Sequence, residues 1–167
     1  MAKHANLSEK GYYIMEIEDI DVKSRICRHI LNSLPEWFGI PEAIDDYTRW
    51  VRTMTFYACY AGSEPVGFAA LKAHNSKTAE LSVMGVLKEH QRKGIGRSLV
   101  NQCVRYCIEK EYRFLTVKTL AEDNPDEYYA RTRQFYLSMG FTPLEVFTTI
   151  WDENNPCLFM VKVIPGR

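Results

Sequence analysis

At 167 residues, 46% of them hydrophobic, the chain is the size of one ordinary domain and long enough to bury a real core. Its 21 basic and 21 acidic side chains cancel to a formal charge of +0, so no global field gathers nucleic acid or an anionic membrane, and any anion site must be local. The opening MAKHANLSEK has no apolar stretch after its charges, and no run approaches the ~18 apolar residues of a membrane span, so a cytoplasmic protein without membrane or nucleic-acid partners is expected.

Residues 12–17 read as a first strand, and residues 22–34 as a helix with apolar side chains at Val22, Ile26, Ile30, Leu31 and Leu34. Pro35 ends it. A second helix is expected from Pro41 to about Val51, with proline at its first position and carboxylates in its first turn. Three runs rich in β-branched and aromatic residues follow, 54–60, 66–72 and 78–86, parted by turn-forming stretches. They read as an antiparallel meander.

From Gly96 to about Glu109 apolar residues recur at Leu99, Val100, Cys103, Val104, Cys107 and Ile108, predicting a helix with Arg97, Asn101 and Arg105 toward water. Residues 114–119 form the next strand, 125–138 another helix, and 142–150 and 156–164 the closing strands. The fold class is therefore α/β (α+β), one domain over 1–167 with a central mixed, mostly antiparallel sheet of about 6–7 strands and about four flanking helices. The five cysteines (Cys27, Cys59, Cys103, Cys107, Cys157) have no CxxC spacing or nearby histidine pair; they read as reduced, buried thiols, and no metal is expected.

The stretch His90-Gln-Arg-Lys-Gly-Ile-Gly-Arg-Ser-Leu99 sits at a strand-to-helix turn. The first backbone N–H groups of a helix lack intrahelical partners and the dipole is positive there, while glycine lets a phosphate reach the main chain. Arg92, Lys93 and Arg97 add mobile cations. The spelling is not a P-loop, because Gln91 stands where the first glycine belongs and no lysine follows Gly96. Nor is it a dinucleotide fingerprint, which needs glycine where Leu99 stands.

The pattern Gln91-Arg92-Lys93-Gly94-Ile95-Gly96 resembles the pyrophosphate loop of the GNAT acetyltransferase superfamily, whose members bind acetyl-coenzyme A. Met84-Gly85-Val86 stands where the family carries a strand bulge facing the pantetheine arm, and Phe135-Tyr136-Leu137-Ser138-Met139-Gly140-Phe141 resembles its second signature. The order of elements matches over about 12–164. The resemblance implies an N-acetyltransferase that uses acetyl-coenzyme A as co-substrate and moves the acetyl group to an amine by direct attack in a ternary complex. It places Met84, Gly85, Val86, Gln91, Arg92, Lys93, Gly94, Ile95, Gly96, Arg97 and Ser98 against the cofactor, with a backbone N–H near Val86 on the thioester oxygen.

Tyr136 matches the position of the family's acid, and a phenol, with an ordinary pKa of ~10, suits protonation of a thiolate; its other reading is an aromatic packed beneath the sheet. Glu80, eleven residues before Gln91, stands at the spacing of the general base in histone-type members, and a carboxylate on a partly buried strand is a common device for such a base. Its other reading is a carboxylate on the solvated rim. His74, in a hairpin turn, and His90, in the cofactor loop, read as solvent-facing. Asn124 is a candidate contact for the pantetheine arm, although Tyr129 occupies the position where an asparagine is common. Arg131 and Arg133 read as solvated, or as further phosphate donors.

The acceptor is expected to be an amine of a small molecule or peptide. Trp37 and Phe38 could form an apolar lid, or a connection packed on the core, and Glu36, Glu42, Asp45 and Asp46 could meet an ammonium. A homodimer stays open, as does a non-catalytic acyl-coenzyme A-binding regulatory module.

Overall fold

The computed structural model describes residues 5–7 and 11–166, so most of MAKHANLSEK lies outside the described residues. The chain packs as two units, 1–72 with 81–105 and 73–80 with 106–167, and the strand carrying Glu80 runs through both.

In the first unit, β1 (Ala5–Leu7) pairs antiparallel with β2 (Tyr12–Glu16), β2 with β3 (Thr55–Ala61), and β3 with β4 (Glu64–Ala73). Helix α1 (Ile20–Asn32) begins two residues before the periodicity predicts because Asp19 caps it, accepting from the N–H groups of Asp21 and Val22 at 2.9 Å. Its buried Ile26, Cys27, Ile30 and Leu31 form the expected stripe. Helix α2 (Pro41–Trp50) starts at its proline and passes into a 3₁₀ turn, Val51–Thr53. The stacked rings of Phe56 and Phe68, centroids 5.1 Å apart, are both fully buried in this core. β5 (Thr78–Val86) leads through a 3₁₀ turn at Lys88–His90 into α3 (Ile95–Glu109), where Leu99, Val100, Cys103 and Cys107 are buried and Arg97, Asn101 and Arg105 are exposed.

In the second unit, the first residues of β5 run parallel to β6 (Phe114–Leu120), with Glu80 opposite Thr116. β6 pairs antiparallel with β8 (Asn155–Val163), and β8 with β7 (Thr142–Asp152). Helix α4 (Glu127–Ser138) starts two residues later than predicted, because Asp126 turns its carboxylate onto the N–H groups of Tyr128 and Tyr129 at 2.8 and 3.0 Å. The hydrogen-bonded strand order is β1-β2-β3-β4-β5-β6-β8-β7. This is the mixed, mostly antiparallel sheet expected, with the three-residue β1 as an eighth strand too short to leave a periodic signal. No helix among the described residues is long and apolar enough to cross a membrane.

Candidate active site

The loop after β5 is built from its own hydrogen bonds. Leu87 donates its N–H to the carbonyl of Val66 at 2.9 Å, and the Gln91 side chain donates from Nε2 to the carbonyl of Val86 at 2.9 Å, folding the loop back on the end of the strand. Arg92 (φ 62°) and Gly94 (φ 86°) are both left-handed, and Ile95 is buried beneath them as an anchor. The N–H of Ser98 makes the first helical bond, to the carbonyl of Gly94 at 3.0 Å, so the N–H groups of Ile95, Gly96 and Arg97 precede the ladder. A Cβ at Gly94 would meet nothing within 4 Å. Bare backbone, three leading N–H groups and the exposed side chains of Arg92, Lys93 and Arg97 together suit a diphosphate.

Gly85 is glycine for another reason than a left-handed backbone. A Cβ there would stand 3.0 Å from Ile30 Cγ2 and 3.1 Å from Leu34 Cδ1, so its absence lets α1 seat closely on β5. Met84 and Val86, its neighbours, are half-buried.

His90 is not solvent-facing as expected: it is half-buried, its Nδ1 lies 2.8 Å from the Tyr12 hydroxyl, and the rings meet edge to face at 5.7 Å. The buried Tyr12 thus ties the loop after β5 to β2. The carboxylates that could meet an ammonium are mostly occupied. Glu36 pairs with Lys88, Asp46 with Arg49, and Asp45 with Arg28 at 2.7 Å, and Glu42 lines the same crevice as Asp45, Asp46 and their arginines. Lys88 and its own backbone N–H hold the Glu36 carboxyl below the usual range. Trp37 and Phe38 are half-buried, Phe38 edge-on to Tyr47 at 6.0 Å.

Glu80 is buried, with 8% of its side chain exposed, which sets aside the rim reading. Its Oε1 lies 3.2 Å from Nε2 of His74, and its Oε2 lies 3.2 Å from Nζ of Lys118. His74 is exposed, as expected of a hairpin residue, yet it is joined to Glu80. Lys118 escaped the sequence reading because nothing in the chain announces that β6 lies in parallel register with β5; once Glu80 faces Thr116, Lys118 is the next residue on that face. Cys157, on β8 opposite Leu120, is fully buried, and burial pushes its thiol up to about 11.

Tyr136 lies on α4 and is buried, its ring 5.5 Å from those of Phe135 and Phe141. The helix ends on Gly140 (φ 85°), and the Phe141 N–H returns to the carbonyl of Tyr136 at 3.0 Å. Lys162 closes the end by donating to the carbonyl of Met139 at 2.8 Å. Arg133, expected to be solvated, is instead buried and donates from Nη1 to the carbonyl of Leu120 at 2.8 Å, joining α4 to the end of β6. Arg131 lies over the ring of Tyr128 at 5.7 Å. Asn124 is turned to the chain itself, donating to the carbonyl of Asn154 and accepting from the Asp126 N–H, both at 3.2 Å. No group of three or more His, Cys, Asp or Glu side chains among the described residues is arranged to hold a metal.

Comparison with known proteins bears on the fold and the family. The uncharacterised N-acetyltransferase YsnE of Bacillus subtilis is 27% identical over 111 residues, 65% of this chain and 69% of that protein. A protein of Desulfovibrio desulfuricans assigned to the GNAT acetyltransferases superposes with a TM-score of 0.80 at 18% identity, over 92% of this chain and 99% of that one. A GNAT acetyltransferase of Elizabethkingia anophelis, solved with acetyl-CoA bound, superposes with a TM-score of 0.62 at 18% identity, over 78% and 87% of the two chains. Residues 24–141 match the acetyltransferase (GNAT) family, and the chain belongs to that family.

Proposed function

We propose that the protein is an acetyl-CoA-dependent N-acetyltransferase that acts on a primary amine of a small molecule or peptide, by direct attack within a ternary complex. The observation that carries this reading is the turn 91–98, where left-handed Arg92 and Gly94 precede three backbone N–H groups left over by α3. Those groups bind the diphosphate of the co-substrate, and Arg92, Lys93 and Arg97 screen its charge. Gln91 serves by holding the turn closed on Val86. Bound acetyl-CoA supplies the activated acetyl group.

The chain then has three tasks: to polarise the thioester carbonyl, to take a proton from the ammonium, and to return one to the sulfur. A backbone N–H near Val86 performs the first, a contribution of about 3–4 kcal/mol where such donors have been removed. The cluster around Glu80 receives the ammonium proton. Tyr136, buried among aromatic rings, protonates the sulfur.

Thermal melting with acetyl-CoA and with duplex DNA tests the donor. Acetyl-CoA raises the melting temperature and DNA does not; no shift at millimolar acetyl-CoA would overturn the reading. Free-thiol release across spermidine, tyramine, lysine and a short peptide with a free N-terminus tests the acceptor. Binding of acetyl-CoA without release by any of the four would favour a regulatory module instead.

A further inference from the structure

We infer that the outer edge of β7 is a self-association surface, on which a second copy of this chain adds its own β7 antiparallel about a two-fold axis. The inference is independent of the acetyltransferase reading. β7 ends the hydrogen-bonded order, so one side of it has no strand neighbour, and every residue of it except Phe147 is exposed. Of the ten exposed large apolar side chains among the described residues, Leu144, Val146, Ile150 and Trp151 lie on this one strand. Apolar residues exposed singly are ordinary, whereas a run of them marks an interface.

Pairing with β8 does not use the strand up. The register takes Thr142, Pro143, Glu145, Val146, Phe147 and Asp152, and leaves Leu144 and residues 148–151 without a partner on β8. Three of the four exposed apolar side chains therefore stand where β8 offers nothing opposite them. The composition is that of a covered strand. Residues 146–151 spell VFTTIW, all strand formers, with no charge, glycine or proline. Edges that stay free are commonly short or carry lysine: β1, at the other end of the order, is three residues long, while β7 holds 11 and no cation.

Charge along the strand favours a second copy as the occupant. A two-fold axis normal to an antiparallel pair sets one residue opposite its own copy. With that axis at Phe147 the full strand pairs: Leu144 meets Ile150, Glu145 meets Thr149, and Asp152 meets Thr142. No carboxylate then faces another. Moving the axis to Glu145 sets that carboxylate on its own copy, and moving it to Thr149 sets Glu145 against Glu153. The strand's own charges thus confine the register to the neighbourhood of Phe147, whose ring lies edge-on to Phe159 with centroids 6.3 Å apart. Such a dimer is closed, because each copy spends its one long free edge.

Sedimentation of the full chain tests this. Wild type should run at twice 19.4 kDa at high micromolar protein and approach 19.4 kDa on dilution. Val146→Lys/Ile150→Lys puts charge on the edge, as free edges do, and should be monomeric at every concentration. Ile20→Lys, at a similarly exposed apolar residue of α1, should keep the wild-type mass. If circular dichroism shows the double variant unfolded, wild type alone still decides: amide hydrogen exchange over 144–151 should slow several-fold as protein concentration rises. Wild type that stays monomeric, a folded double variant that still dimerises, concentration-independent exchange in β7, or a mass that grows past the dimer would each overturn the inference. So would a monomer whose β7 exchange slows only on adding an extended peptide, which would assign the edge to a foreign strand.

Discussion

Gly94 and Gly140 are both left-handed, and substitution separates what each is for. At Gly94 the backbone angle opposes any side chain, yet no atom stands in the way, so Gly94→Ala should lower stability by about 1–2 kcal/mol in urea titration. Gly94→Val adds bulk where the diphosphate would lie and should abolish the melting shift with acetyl-CoA. At Gly140 a Cβ would come within 2.7 Å of Lys162 Nζ, the group that closes α4. Alanine there should cost about 1–3 kcal/mol and leave the acetyl-CoA shift intact. The glycines of the loop were legible from spelling alone, since spacing after a strand announces a turn. The reason for Gly85 was not, because it lies in Ile30 and Leu34, some fifty residues away in the chain. Lys118 and Arg133 were hidden for the same reason: each acts through a partner that only register or tertiary packing brings near.

Helices α1 and α4 were found by their periodicity, and their starting points were missed by two residues because an aspartate cap overrides the apolar pattern. Asp126→Ala should therefore lower stability by about 1 kcal/mol and shift the melting temperature down, since it strips acceptors from two N–H groups of the helix that carries Tyr136. The pH response follows from the cap at Asp19 and from the ion pair at Glu36. Hydrogen bonds from Val22 and Asp21 hold the Asp19 carboxyl below its ordinary value, and Lys88 does the same for Glu36. A carboxylate whose folded pKa is depressed adds stability above its unfolded pKa and loses it as pH falls through the folded one. Melting temperature should thus drop steeply below about pH 4, where free carboxylates titrate, and Asp19→Asn or Glu36→Gln should flatten that drop. An unchanged acid limb in both variants would contradict these pairings.

Across the molecule, the order of elements and the turn that opens α3 could be read from the chain, whereas nothing in it marks the acceptor. Three of the four carboxylates that might have marked an ammonium site, Asp45, Asp46 and Glu36, are spent on Arg28, Arg49 and Lys88, so most of that local charge is internally paired. The cysteines bear on how the activity is measured. All five are buried, and burial pushes Cys27 up to about 12 and Cys59 and Cys107 to about 11. Folded protein at pH 8 should leave Ellman's reagent uncoloured over minutes, while protein in guanidinium should release all five thiols. Thiol appearing in an assay then comes from the substrate alone.

That makes amine-dependent release of free thiol from acetyl-CoA the most direct measurement, compared among wild type, Gly94→Val and Tyr136→Phe. The account predicts saturable release in wild type, loss through a raised requirement for acetyl-CoA in Gly94→Val, and a kcat lowered about 100-fold with acetyl-CoA binding retained in Tyr136→Phe. Equal rates in all three would contradict it.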